Sequence, residues 1–173
     1  MRRTAFDGWP CSIARTVDVV GDGWTALVLR ETFYGTTRFD DIQQALGIAR
    51  TTLTDRLGRL VDLGLLEKSA YQSRPARYDY LLTDKGSDFF GVLAVMSRWG
   101  DKWLADEAGV PIVLQHTACG HDTHADVVCH ECRQPLQAQD VTPRPGPGYP
   151  SRLLGRSDIQ RRFASAVTAG DVR

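Results

Sequence analysis

Residues 39–82 read FDDIQQALGIARTTLTDRLGRLVDLGLLEKSAYQSRPARYDYLL. Phe39, Ile42 and Leu46 recur at helical spacing, and the short turn Gly47-Ile48-Ala49 follows them. Thr51 or Thr52 is placed to cap the next helix. Its Leu53, Leu57, Leu60 and Val61 share one face, and Gly64 closes it from the C′ position. Two short helices joined by a glycine-containing turn predict a helix-turn-helix. Leu65–Tyr71 and Arg77–Leu82 then flank a polar loop holding Pro75, which predicts a β-hairpin with a long tip. That order of elements is the order of a winged helix.

The second helix of the pair carries Arg50, Thr51, Thr52, Thr54, Arg56 and Arg59 on or beside its outer face, with Asp55 among them. Arginine bonds bidentately to guanine, threonine offers a hydroxyl or methyl to a base edge, and further arginines hold phosphates. These residues are the candidate DNA contacts. Arg74 and Arg77 sit on or near the wing and join them as contacts to the minor groove or backbone. The plain alternative is a solvated helix face.

Outward from this stretch, Ile13, Val17 and Val20 give a first helix one apolar face and Gly21 ends it. Asp22 caps a helix apolar on two sides, through Trp24, Leu27 and Val28 and through Ala26, Leu29 and Phe33, which Gly35 stops. After the hairpin, Thr83 caps a long helix expected to reach Leu104. Phe89, Phe90, Val92, Val95, Met96, Trp99 and Trp103 make it apolar around more than half its circumference. A lone small domain does not leave that much aromatic surface wet, so this is read as a dimerisation helix. A small aromatic or electrophilic effector is expected to enter near Trp24, Phe89 and Trp99.

The 173 residues are 42% hydrophobic, 24% charged and 9% aromatic, the proportions of an ordinary globular chain with room for one full domain and an appendage. Twenty-one basic and 21 acidic residues cancel, so any nucleic-acid role rests on a local patch rather than a global field. No apolar run reaches bilayer length, and a cytoplasmic location is expected. Walker loops, dinucleotide turns and nucleophile elbows are absent from the sequence, and no His-x-Glu precedes the Cys-x-x-Cys as deaminase chemistry needs. An enzyme is not expected.

Several strings carry a resemblance. Residues 11–25, Arg38-Phe39-Asp40-Asp41-Ile42, Leu53-Thr54-Asp55-Arg56-Leu57, Gly64-Leu65-Leu66-Glu67 and Tyr80-Leu81-Leu82-Thr83-Asp84-Lys85-Gly86 together resemble the HxlR-type winged-helix transcription regulators over roughly residues 8–104. The resemblance implies a dimeric, MarR-like DNA-binding regulator of the bacterial cytoplasm. It places Thr52, Thr54 and Arg56 on the reading helix, and Cys11 where some members sense oxidants. Ser12 departs from the proline common after that cysteine, and Tyr78 from a common aliphatic in the second wing strand.

A Cys/His-rich stretch follows. His116-x-x-Cys119 and Cys129-x-x-Cys132 are two ligand pairs with the spacing of a closed, structural zinc site. His121 and His124 compete for the histidine place, and a disulfide or plain thiols are the alternatives. Residues 112–114 and 126–128 are expected as ribbon strands. Residues 142–150 are too rich in Pro and Gly for helix or sheet, and a basic tail follows with Ile159, Phe163 and Val167 on one face of a short helix begun by Ser157.

The expected architecture is therefore α+β, mostly α. Residues 1–108 make a winged helix-turn-helix with its long dimerisation helix, 109–142 a small zinc-ribbon-like β module, and 143–173 a linker and tail. The expected function is a transcription repressor acting as a homodimer on a pseudo-palindromic operator, released by a small molecule or by oxidation. The alternative is a protein-interaction adaptor docking through the winged helix and the ribbon.

Overall fold

A computed structural model describes residue 6 and residues 8–164. By contact the chain divides after residue 125. Residues 15–125 form one compact unit, and the described parts of residues 1–14 and 126–173 form the other. The division falls inside the Cys/His stretch.

The elements run α1 (Ser12–Val20), α2 (Gly23–Phe33), α3 (Phe39–Leu46), α4 (Arg50–Asp62), β1 (Leu66–Ser73), β2 (Ala76–Leu82), α5 (Asp84–Asp88), α6 (Phe90–Leu104), β3 (Leu114–His116) and β4 (His121–Thr123). The core of the larger unit is Val28 and Leu29 from α2, Ile42 from α3, Leu53, Leu57 and Leu60 from α4, and Ile48, Leu65 and Leu66 beside them. These are the periodic positions of the opening stretch, so the apolar pattern alone fixes how α2, α3 and α4 pack. Gly47 and Gly64 take positive φ of 62° and 69°, where a side chain would strain the ends of α3 and α4. β1 and β2 pair antiparallel from Leu66↔Leu82 to Ser73↔Ala76. Residues 37 and 38 add to the free edge of β2, through Tyr80 N–H to the Thr37 carbonyl at 2.8 Å and an Arg38↔Asp79 bridge. The result is a winged helix-turn-helix of α+β class, mostly helical.

Local details differ from expectation. Ala49, not Thr51 or Thr52, occupies the N-cap of α4, and no side chain caps it. The wing is tighter than expected, because pairing continues to Ser73↔Ala76 and leaves only Arg74 and Pro75 at the tip. Register slips once, between Ala70 and Gln72. The long helix is two helices: Thr83 Oγ1 accepts from Gly86 N–H at 3.0 Å to cap α5, and the chain tightens at Phe89, whose N–H reaches the Gly86 carbonyl three residues back. Phe89 thereby turns onto the core while α6 restarts at Phe90. Ile13 and Val17 of α1 are exposed rather than packed.

β3 pairs antiparallel with β4 from Leu114↔Thr123 to His116↔His121. Residues 126–128, expected as the second ribbon strand, lie in the other unit, where Val128 forms an isolated bridge with Pro135. That unit holds a 3₁₀ turn at Ala138–Asp140, α7 (Ser151–Leu154) and α8 (Ser157–Ala164). Ile159 is buried, and the rings of Tyr149 and Phe163 meet edge to face at 5.4 Å. Residues 142–150 form neither helix nor strand. Val167 lies outside the described residues. No helix among the described residues is long and apolar enough to cross a membrane.

Candidate nucleic-acid interface

α4 sorts its polar side chains into two groups. Thr51, Thr54 and Asp55 are exposed, and Thr54 Oγ1 donates to the Arg50 carbonyl at 2.8 Å. Thr52 is half-buried. Arg56 and Arg59 are half-buried and committed inside the protein. Arg56 Nε donates to Asp22 Oδ1 at 2.8 Å, and Arg59 Nη2 donates to the Asp18 carbonyl while its Nε is buried without a partner among the described residues. Asp22 is also the N-cap of α2, accepting from Trp24 N–H at 3.1 Å, Thr25 N–H at 3.0 Å and Thr25 Oγ1 at 2.6 Å. Burial pushes the Asp22 carboxyl up, but the Thr25 hydroxyl and N–H and the Arg56 guanidinium outweigh it and hold the group below its ordinary value. One carboxylate therefore fastens the start of α2 to the middle of α4.

Arg50 starts α4 on the exposed side. Its Nη1 donates to Asp40 Oδ1 at 2.9 Å and to Gln43 Oε1 at 3.1 Å, and its guanidinium lies 4.6 Å over the Phe39 ring. Both charged partners face water, so the pair is weak and a phosphate can replace the carboxylate. Arg74 and Arg77 are exposed on the wing. Arg50 and Arg77 line one concave surface of about 320 Å³, walled by Phe39, Tyr71, Tyr78 and Tyr80, between the start of α4 and the wing. The sequence reading missed Arg38 and Lys68. Arg38 lies 4.6 Å over the Tyr71 ring with Nε 3.5 Å from Asp79 Oδ1, and Lys68 stands 5.8 Å from the rings of Tyr78 and Tyr80. Strand alternation would have found Lys68. Arg38 needed the unexpected pairing of residue 38 with β2.

The other candidates are placed separately. His116 and Cys119 close a turn with Nδ1 3.3 Å from Sγ. Cys129 and Cys132 close another in the second unit. Backbone N–H groups of Cys132 and Glu131 and the Cys132 side chain hold the Cys129 thiol below its ordinary value. All four cysteines are free thiols, and Cys11 is exposed. Trp24 and Trp99 are exposed, whereas Phe89 packs against the core. None of those three lines the apolar cavity of about 310 Å³ between α2, α6 and residues 111–114, whose walls include Leu27, Phe33, Phe90, Leu93, Met96 and Ile112, with Arg30 and Asp101 beside them.

A buried helical core, a tight helix-turn-helix and an arginine-bearing hairpin define a winged-helix protein of the kind that docks on duplex DNA. The model of the HxlR-like helix-turn-helix family matches residues 19–108, and the chain belongs to that family. An HTH-type transcriptional regulator of Mycobacterium tuberculosis is 42% identical over 142 residues, which cover 82% of this chain and 90% of that one. The crystal structure of PA1607, assigned as a transcription factor, superposes with a TM-score of 0.72 at 32% identity over 80% of this chain and 96% of that one. PA1374 from Pseudomonas aeruginosa, assigned likewise, gives 0.58 at 34% identity over 87% and 99%. The chain is a transcription regulator of HxlR and MarR type, and its relatives are regulators rather than enzymes.

Proposed function

We propose that the chain is a homodimeric, DNA-binding repressor whose α4 enters the major groove of each half of a pseudo-palindromic operator. The observation that carries this reading is the shared concave surface, on which Arg50 at the start of α4 and Arg77 on the wing stand together. A phosphate between them anchors the helix, Thr51, Thr54 and Asp55 meet base edges, and Arg74 follows the adjacent backbone. Thr52 flanks the reading set. Arg56 and Arg59 act by holding α4 at its angle, since their guanidinium groups are engaged with Asp22 and Asp18. The second copy covers α6, where Phe90, Val92, Met96, Trp99 and Trp103 are exposed on the single chain.

Release follows from the spacing of the two α4 helices. A small aromatic molecule entering beside α6, near Trp24, Phe89 and Trp99 or in the Leu27–Phe90 cavity, shifts the helix that joins the copies and spoils the match to the half-sites. Oxidation of Cys11, exposed at the start of α1, is the second route to the same shift.

Fluorescence anisotropy on the duplex upstream of the chain's own coding region, with excess unrelated duplex at two salt concentrations, tests the reading. Saturable binding that resists competitor, saturates at one dimer per site and weakens steeply with salt is expected. Salt-independent binding, or equal affinity for both duplexes, rejects it in favour of an adaptor.

A further inference from the structure

Phe90, Leu93, Ala94, Ser97 and Asp101 recur at helical spacing along α6, apolar at the start of the stripe and polar toward its end. Two cavities lie along this stripe, both inside the larger unit. The inner one, of about 310 Å³, is the apolar space walled by Leu27, Phe33, Phe90, Leu93 and Met96. The outer one, of about 420 Å³, is lined by Val110, Val113, Arg98, Lys102, Asp122 and His124. They share Ala94, Ser97, Asp101, Ile112 and Leu114, so Asp101 stands where the two meet. Ile112 and Leu114 lie beyond the residues 19–108 matched by the family model, so the family fold alone does not supply this wall.

The charges around the junction differ in what holds them. Arg30 Nε and Nη2 both donate to Oε1 of the buried Glu31, at 3.1 and 2.5 Å. Arg98 Nη1 donates to the Ala125 carbonyl at 2.8 Å. The Lys102 ammonium stands 4.9 Å from the Trp103 ring, and adjacent residues of a helix do not face each other. Asp101 is half-buried, and its one hydrogen bond among the described residues comes from Ser97 Oγ at 3.4 Å. That is longer than an effective O–H···O bond, and among the described residues no cation pairs with the group. A carboxylate partly withdrawn from water and left without a cation is stabilised by one brought to it.

We propose that the inner cavity binds a small aromatic cation, its ring among Phe33, Phe90 and Leu93 and its ammonium on Asp101. The Phe33 and Phe90 ring centroids lie 5.4 Å apart, and rings that meet at an angle suit a further aromatic body. Mostly apolar cavities of this volume with few polar groups hold small organic ligands. Arg30 also lines the cavity, but Glu31 already neutralises it. An anionic ligand would set its charge against Asp101, and like charges repel. The inference names the chemical class of the effector in the release reading, and only its link to DNA rests on that reading.

Equilibrium dialysis of the full, reduced chain against probes with one ring system and different heads tests the proposal. The probes are naphthylmethylammonium, naphthylmethanol and naphthylacetate. The cation should be taken up saturably at one per chain, about tenfold tighter than the alcohol, as one charge-assisted bond gives, with the carboxylate weakest. Asp101→Asn should remove that tenfold preference and leave the affinity for the alcohol unchanged, a split that a merely structural role would not produce. Ile112→Trp, which fills the junction, should weaken all three. Far-UV circular dichroism of each variant reports whether the winged helix stays folded. A wild-type chain that takes up no cation saturably overturns the proposal, and that is the result if a second copy fills the cavity. Tighter uptake of the carboxylate overturns the ligand class, and equal affinity for cation and alcohol overturns the part of Asp101. The dialysis needs no DNA, so its outcome is independent of the operator titration.

Discussion

The winged helix and the Cys/His stretch are ordered by different means. In the first, Val28, Leu29, Ile42, Leu53 and Leu60 are all at 0% exposure, and helices of 8 to 13 residues converge on them. In the second, strands of three residues flank a turn and no residue from 109 to 142 is buried. Apolar burial scales with area removed from water, so a region with no fully buried residue takes little of its order from packing. Truncating a core side chain should therefore be costly in one region and nearly free in the other.

Leu57→Ala tests the first half. Leu57 is 1% exposed at the centre of α4's buried face, and its truncation should cost about 3 kcal/mol in urea unfolding. A loss below about 1 kcal/mol would mean that the helices close over the gap, beyond the usual range for a buried leucine.

Asp22→Ala comes next, at about 2 kcal/mol, because it removes the α2 cap and leaves Arg56 without its carboxylate. The effect carries a pH signature. The folded pKa of Asp22 lies below its ordinary 3.8, so its contribution is complete above 3.8 and is lost as the pH falls through the lower folded value. Stability curves of wild type and Asp22→Asn should run parallel near neutrality and converge in acid. Curves that stay parallel would remove Asp22 from the ion pair.

Arg56→Ala should cost about 1.5 kcal/mol of stability, since it strips one charge-assisted bond from that network. Its ratio of specific to non-specific DNA affinity should hardly change. Thr54→Val should do the reverse, moving stability by less than about 0.5 kcal/mol while lowering the ratio. If Arg56→Ala lowers the ratio instead, Arg56 leaves Asp22 on binding and reads a base.

The contrast also explains which features the sequence made legible. The α3 boundaries, the Gly47 and Gly64 turns, the Asp22 cap and the core leucines all follow from local periodicity and glycine chemistry. What stayed hidden depended on contacts distant in sequence. Arg56 and Arg59 read as outward-facing because a helical wheel does not show Asp22 or the Asp18 carbonyl, 34 and 41 residues away. The break at Phe89 was hidden because the apolar pattern runs on through it, while the Phe89 N–H turns to the Gly86 carbonyl three residues back. The ribbon strand was placed at 126–128, whereas β3 pairs with 121–123, because periodicity does not say which neighbour a three-residue strand finds.

Val127→Ala should have the smallest effect and bears most directly on the contrast. Val127 is 46% exposed, and its structural part is a carbonyl that accepts from Leu136 N–H at 2.9 Å, a bond that alanine keeps. Truncation removes little buried surface and should cost less than about 0.5 kcal/mol. Thermal unfolding reads the result, and the curves of wild type and variant should nearly coincide. A cost of 1 kcal/mol or more would mean that Val127 packs into a core in solution. The stretch would then have burial of its own, and the contrast with the winged helix would fail.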